Sequence, residues 1–141
     1  LFADITKDDA VFEIATTHFT WTPDGTPNDE QRADIVPLME ILHDKKSFIL
    51  TGDFNAPRVT EIFTMLADKF TDNIPPEYIW SLDTHLHRAM GGKIQSDAAA
   101  QGLDGYVVDG LFSTPEYDVT NVRLQDGVSD HCAVLARIHK R

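Results

Sequence analysis

The sequence predicts one domain of mixed α and β structure, with a mostly antiparallel β-sheet flanked by helices. Three observations predict it. Two runs, Val11 to Phe19 and Ser47 to Thr51, are rich in β-branched and aromatic residues. Apolar residues at helical spacing follow each run. The last third of the chain reads as three strands separated by short polar turns.

Taken in order, Asp4, Asp8 and Asp9 lie in a polar stretch that reads as a turn before the first strand. That strand, Val11 to Phe19, ends at the turn-prone Thr22-Pro23-Asp24-Gly25-Thr26-Pro27. A helix is expected from about Thr26, with Pro27 and Asp29 suited to its first turn and Gln31, Ile35, Leu38, Met39 and Leu42 along it. Pro37 removes an internal hydrogen bond and predicts a kink. The nearly continuous apolar run Ser47 to Thr51, stopped by Gly52, suits a strand buried on both faces. Beyond Pro57, the spacing of Val59, Ile62, Phe63, Leu66 and Phe70 predicts a helix with one stripe on a sheet. Residues 71–105, with Pro75-Pro76, Gly91-Gly92 and an Ala-rich patch, read as a long and mostly irregular connection. Tyr106 to Ser113, Tyr117 to Leu124 and Cys132 to His139 close the chain as antiparallel hairpins.

Composition narrows the function classes. With 42% hydrophobic and 25% charged residues in 141, the chain is an ordinary globular domain and not a disordered or fibrous one. No stretch approaches the roughly 18 apolar residues of a membrane span, and no basic segment leads an apolar one at the start, so localisation stays open. A single cysteine, Cys132, excludes an intrachain disulfide and a cysteine-rich zinc site and reads as a small core residue. The net charge of -11 argues against a broad basic surface for a phosphate backbone, and it fits clustered carboxylates around a cation.

Four short elements carry the chemistry: Thr17-His18-Phe19, Gly52-Asp53-Phe54-Asn55, Val108-Asp109-Gly110 and Ser129-Asp130-His131. A spacing of two on an extended chain puts Asp53 and Asn55 on one side, where the carboxylate could orient a water or hold a hard cation and the carboxamide could donate to a phosphate oxygen. Gly52 permits close approach or an unusual backbone angle. Asp130-His131 sets an anionic ligand beside a titratable imidazole, which Asp109 could hold protonated. Asp109 interrupts an apolar strand, where a carboxylate is costly unless paired; alternatively Gly110 marks a bulge that turns Asp109 to solvent. Each element alone is also an ordinary turn. His85-Leu86-His87 has the spacing of a metal pair but no third ligand nearby in sequence, and reads as loop histidines.

In this order the four elements resemble the carboxyl-terminal motifs of the endonuclease/exonuclease/phosphatase superfamily, typified by deoxyribonuclease I, apurinic/apyrimidinic endonucleases and sphingomyelinases. The resemblance covers essentially the whole of residues 1–141 and implies the C-terminal part of such a domain, one half of a four-layer α/β/β/α sandwich. It implies that Asp53 and Asn55 position the nucleophilic water and contact phosphate. Asp53, Asn55 and Asp130 would lie at metal positions, and His131, held by Asp109, would stabilise phosphoryl charge. His18 would sit beside the scissile phosphate and serve the leaving group. The implied chemistry is in-line attack by water on a phosphoester, with Mg²⁺ or Mn²⁺. The family's principal metal-binding Glu comes from its amino-terminal half, yet only 17 residues precede His18. Glu13 has the opposite strand parity from His18 and cannot simply replace it. The expectation is therefore a C-terminal fragment whose exposed sheet face is covered by a missing amino-terminal half or by a second copy. The alternative is a non-catalytic metal-binding or interaction module. Substrates in view are small phosphodiesters, lipid head groups and nucleic-acid ends.

Overall fold

The computed structural model describes residues 1–88, 93–100 and 102–141, without the side chains of 93–95 and 97. Gly91-Gly92 of the expected irregular connection lie outside the described residues. The chain is an α+β domain whose main sheet has five strands in the order β1-β2-β3-β5-β4. These are β1 (Phe2–Lys7), β2 (Ala10–His18), β3 (Ile49–Asp53), β4 (Thr71–Asp72) and β5 (Asp109–Ser113). All neighbours run antiparallel except β2 and β3. A second sheet consists of β6 (Tyr117–Gln125) and β7 (Ala133–Lys140).

Strand β1 corrects the expected turn around Asp4. Only Asp8 and Asp9 turn, and both have positive φ, 50° and 63°. That is what a two-residue hairpin loop of the right twist requires, and Asp tolerates it better than most residues. Every residue of β1 is exposed, so the strand lacks the apolar alternation that marks a half-buried one.

Helix α1 (Asp29–His43) begins three residues later than expected. Asn28, in extended conformation, caps it by accepting the Gln31 N–H, and Asp29 and Glu30 place negative charge in the first turn. The helix runs unbroken through Pro37. Helix α2 (Glu61–Ala67) is shorter than its predicted stripe: Val59 has φ 69° and is exposed ahead of it, and Phe70 packs on the core from beyond its end. The connection 71–105 holds two elements that its composition hides, β4 and helix α3 (Lys93–Ala100).

Strand β3 is buried on both faces at its start, and its alternation divides the core. Leu50, with Ala15 and Phe112, faces α1 and α2 and packs with Ile35, Leu42, Ile62, Phe63 and Leu66. Ile49 and Leu111 face the other way, with Phe12 and Ile14, onto Tyr117, Val119, Val122, Leu124, Val134 and Ile138 of the β6–β7 hairpin. The layers are thus helices, five-stranded sheet and two-stranded sheet. The inner face, expected to lie open in this chain, is covered in part by the chain's own hairpin.

That arrangement also corrects the expected pairing of the last three strands. Strand β5 begins at Asp109 rather than Tyr106 and pairs with β3 and β4, so that of these three strands β6 and β7 pair with each other as a hairpin. The chain leaves the first sheet at Thr114, whose N–H and hydroxyl are bonded to the backbone of Phe48.

Phe112 is fully buried, with its ring 5.4 Å from Phe54 in an edge-on contact and 5.2 Å from Phe63. Phe112→Ala is expected to lower stability by about 3–5 kcal/mol through lost burial and a cavity. The half-exposed Leu135 should tolerate Ala at a cost of about 0.5 kcal/mol or less. Urea unfolding monitored by circular dichroism checks both.

Candidate functional site

Strand register assembles the site. In the parallel β2–β3 pair His18 lies opposite Asp53, and in the antiparallel β3–β5 pair Asp53 lies opposite Asp109. The three residues therefore form one row across three strands. By parity this row lies on the inner face, two residues along from Thr16, Thr51 and Leu111. One residue closer, Thr17 faces Gly52, and a Cβ at Gly52 would sit 1.9 Å from the Thr17 carbonyl oxygen. With φ 145°, Gly52 meets both the close-approach and the backbone-angle expectation.

His131 reaches the row from the second sheet, just before β7. Its Nδ1 lies 2.9 Å from Asp109 Oδ2, and its Nε2 lies 3.9 Å from Asp53 Oδ2. His18 Nε2 approaches the same Asp53 oxygen at 3.5 Å. The other oxygen, Oδ1, accepts the Asn55 backbone N–H at 2.8 Å. Asp53 thus has one oxygen fixed and one flanked by two imidazoles. Exposure grades across the group, from 13% for the Asp109 side chain through 18% for Asp53 and 30% for His131 to 78% for His18. His18 stands at the mouth.

These surroundings shift two groups. Burial raises the Asp53 carboxyl above the ordinary range, with the Asp109 charge adding to the rise and the Asn55 N–H, His131 and His18 opposing it. The hydrogen bond to Asp109 raises the His131 imidazole, helped by the charges of Asp109, Asp53 and Asp130 and opposed by burial. Asp109 is therefore paired and not solvated. Gly110 forms no bulge: it lies in register opposite Gly52, and a Cβ there would strike the rings of Phe112 and Phe54 at 2.6 and 2.7 Å.

The other expected site residues are placed differently. Asn55, at φ 48°, donates its side-chain NH₂ to the Phe19 carbonyl at 2.8 Å, so that nitrogen is committed to tying the end of β2 to the loop after β3. The Asp130 side chain is exposed, and its charge helps to raise the His131 imidazole. Glu13 accepts a hydrogen bond from the Ser47 hydroxyl, away from the row. Among the described residues no group of three or more His, Cys, Asp or Glu side chains could hold a metal ion. The expected ligands Asp53, Asn55 and Asp130 do not by themselves make a Mg²⁺ or Mn²⁺ site, which takes about six oxygen donors. His87 lies beside His131, ring centroids 6.2 Å apart and edge-on, whereas His85 is exposed in the turn before it.

Three polar residues were not read as part of the site. Buried Gln31 donates its NH₂ to the carbonyls of Thr20 and Asn55, joining the loop after β2 to the loop after β3. Buried Ser81 accepts the N–H groups of Val108 and Asp109 on its hydroxyl. Buried Asp83 accepts three backbone N–H groups on its carboxylate. The one signal for the last two is the alternation Trp80-Ser81-Leu82-Asp83 inside an otherwise irregular stretch.

No family model matches the sequence, and no curated protein matches it. Solved structures share the fold. A functionally unknown conserved protein from Enterococcus faecalis V583 superposes with TM-score 0.66 at 18% identity, covering 96% of this chain and 53% of that one. An endonuclease/exonuclease/phosphatase from Bacteroides vulgatus superposes with TM-score 0.53 at 15% identity, covering 95% and 51%. At such identity the likeness is one of fold, and the chain spans about half the length of either protein.

The raised His131 imidazole carries a linkage consequence. Its stabilising contribution is fully present below the ordinary histidine value of about 6.5 and is lost as pH rises through the higher folded value. In Asp109→Asn the imidazole should titrate at lower pH than in the wild type, as followed by NMR of the ring protons. The stability difference between wild type and Asp109→Asn should shrink as pH rises through that same window.

Proposed function

We propose that this chain carries the water-activating and charge-stabilising side of a phosphoester hydrolase site of the endonuclease/exonuclease/phosphatase kind. The observation that carries the reading is the environment of Asp53: Oδ1 held by Asn55, and Oδ2 flanked by His18 at 3.5 Å and His131 at 3.9 Å. The fold shared with the Bacteroides vulgatus endonuclease/exonuclease/phosphatase supports it.

In this reading Asp53 Oδ2 accepts a hydrogen bond from a water and takes its proton as the water oxygen attacks phosphorus. Burial makes Asp53 a stronger base than a solvated carboxylate. His131, kept protonated by Asp109, offers its Nε2–H to a non-bridging phosphoryl oxygen as charge develops there. The 3.9 Å gap to Asp53 is too long for a direct hydrogen bond and leaves that N–H for a third oxygen. The bond from phosphorus to the leaving oxygen breaks as the water oxygen bonds, and in this reading His18, at the mouth, donates a proton to that departing oxygen. A divalent cation, Mg²⁺ or Mn²⁺, would supply further charge neutralisation at the phosphate, and it needs oxygen donors beyond those described here. The net charge of -11 favours a small phosphodiester, a lipid head group or a nucleic-acid end over long duplex DNA.

The lack of a three-ligand metal group among the described residues favours a second reading, a binding module that keeps the fold without turnover. Hydrolysis of bis(p-nitrophenyl) phosphate in Mg²⁺ or Mn²⁺ separates the two. His131→Ala and Asp53→Asn should each lower kcat by about 100-fold or more, the scale of losing a general base or a charge-stabilising donor. Equal rates in wild type and both variants, or no turnover in any, would leave the binding module.

A further inference from the structure

The Asp109–His131 hydrogen bond joins two sheets that share no strand pairing, since β5 belongs to the first and β7 to the second. His131 also follows a turn, 126–130, that is exposed throughout. Left to itself such a turn would let the imidazole swing away from Asp109, because a solvent-facing loop end opens at little cost. A segment outside both sheets ties the two ends together.

Ser81 grips the Asp109 end: its hydroxyl accepts the N–H of Val108 at 2.9 Å and of Asp109 at 3.1 Å. Its carbonyl accepts the Cys132 N–H at 2.8 Å, and Leu82 forms an isolated antiparallel bridge with His131. Asp83 grips the turn itself, donating its N–H to the Asp130 carbonyl at 2.9 Å and accepting the Gly127 N–H on Oδ2 at 2.6 Å. Its other oxygen, Oδ1, takes the N–H groups of His85 and Leu86 at 2.8 and 2.9 Å, and its carbonyl takes that of His87, whose ring lies edge-on to His131.

From this geometry we infer that Ser81-Leu82-Asp83 is a splint for the Asp109–His131 pair, and that Asp83 is the positioning residue that fixes His131. A carboxylate is required at position 83. Three N–H donors converge on its two oxygens, and an amide would offer one oxygen and set its NH₂ against at least one of those donors. A buried carboxylate with three such donors is satisfied, whereas one that lost them would be expelled to solvent with the turn it holds. The hydrolase reading supplies the catalytic meaning of the splint, but its geometry stands apart from that reading.

The test is NMR of the His131 Nδ1–H, a downfield ring proton identified by its disappearance in Asp109→Asn. In Asp83→Asn this resonance should broaden or vanish, and the Gly127 amide should shift, while the Ile49 and Leu50 amides of β3 stay in place. An unchanged ring proton in folded Asp83→Asn overturns the splint. Amide hydrogen exchange of the wild type decides the matter should that variant fail to fold. Gly127 is expected to exchange as slowly as the β3–β5 ladder, and exchange at the rate of an open turn would overturn the proposal. Neither measurement uses a substrate, so a chain without hydrolytic activity but with an ordered His131 ring proton would sink the hydrolase reading alone.

Discussion

A side chain of any size at position 52 would place its Cβ 1.9 Å from the Thr17 carbonyl oxygen, and the parallel pairing of β2 with β3 could not close there. That contact lies one residue from His18 and Asp53. On the other side of β3, Gly52 faces Gly110, beside Asp109. Two glycines opposite each other let three strands run close together where the site row begins. The space that Gly110 leaves is filled by the rings of Phe54 and Phe112, so the row is backed by buried aromatic residues of the helix-side core. The site is therefore a property of register before it is a property of its side chains.

The charges in that row would not be chosen for stability. Asp53 and Asp109 face one another in register and both are largely buried, and the cost shows in the raised Asp53 carboxyl. His131 makes the arrangement tolerable by standing between the two acids, whose charges favour its protonated form. Followed from contact to contact, the groups Asp109, His131, Asp53 and His18 alternate acid and base.

Much of this could be read from the residues, because local signals and site signals coincide. The apolar run ending at Gly52 placed Asp53 at a strand end, and the interruption of an apolar strand left Asp109 either paired or turned to solvent by a bulge at Gly110, of which the pairing is found. The opposite strand parity of Glu13 and His18 separates them, and Glu13 does bond to Ser47 away from the row. Three kinds of feature stayed hidden. Strand β1 buries nothing, so no alternation marks it. The passage of the chain from β5 into a different sheet depends on contacts between Thr114 and Phe48, 66 residues apart, which leave no local pattern. Ser81, Asp83 and Gln31 act by accepting or donating to backbone groups distant in sequence, and a backbone N–H looks the same at every residue.

The two sheets meet directly beneath the row, and this couples the core to the site. Leu111 lies two residues along β5 from Asp109 on the same face, and Ile49 lies two beyond Thr51, itself two from Asp53. Leu111 and Ile49 form the inner cluster with Val119, Val122, Val134 and Ile138 of the hairpin that leads from His131. Apart from the buried Tyr117, the hairpin residues in that cluster are only partly buried, so the second sheet is held by a thinner layer of apolar contact than the helices on the other face. Hydrophobic contact of that kind sets a distance between layers but not a fine position along them. The hydrogen bonds of residues 81–83 add what packing alone lacks: directional ties between one end of β5 and the start of β7. The polar segment is thus what converts a loosely seated sheet into one that presents an imidazole at hydrogen-bonding distance from its acid.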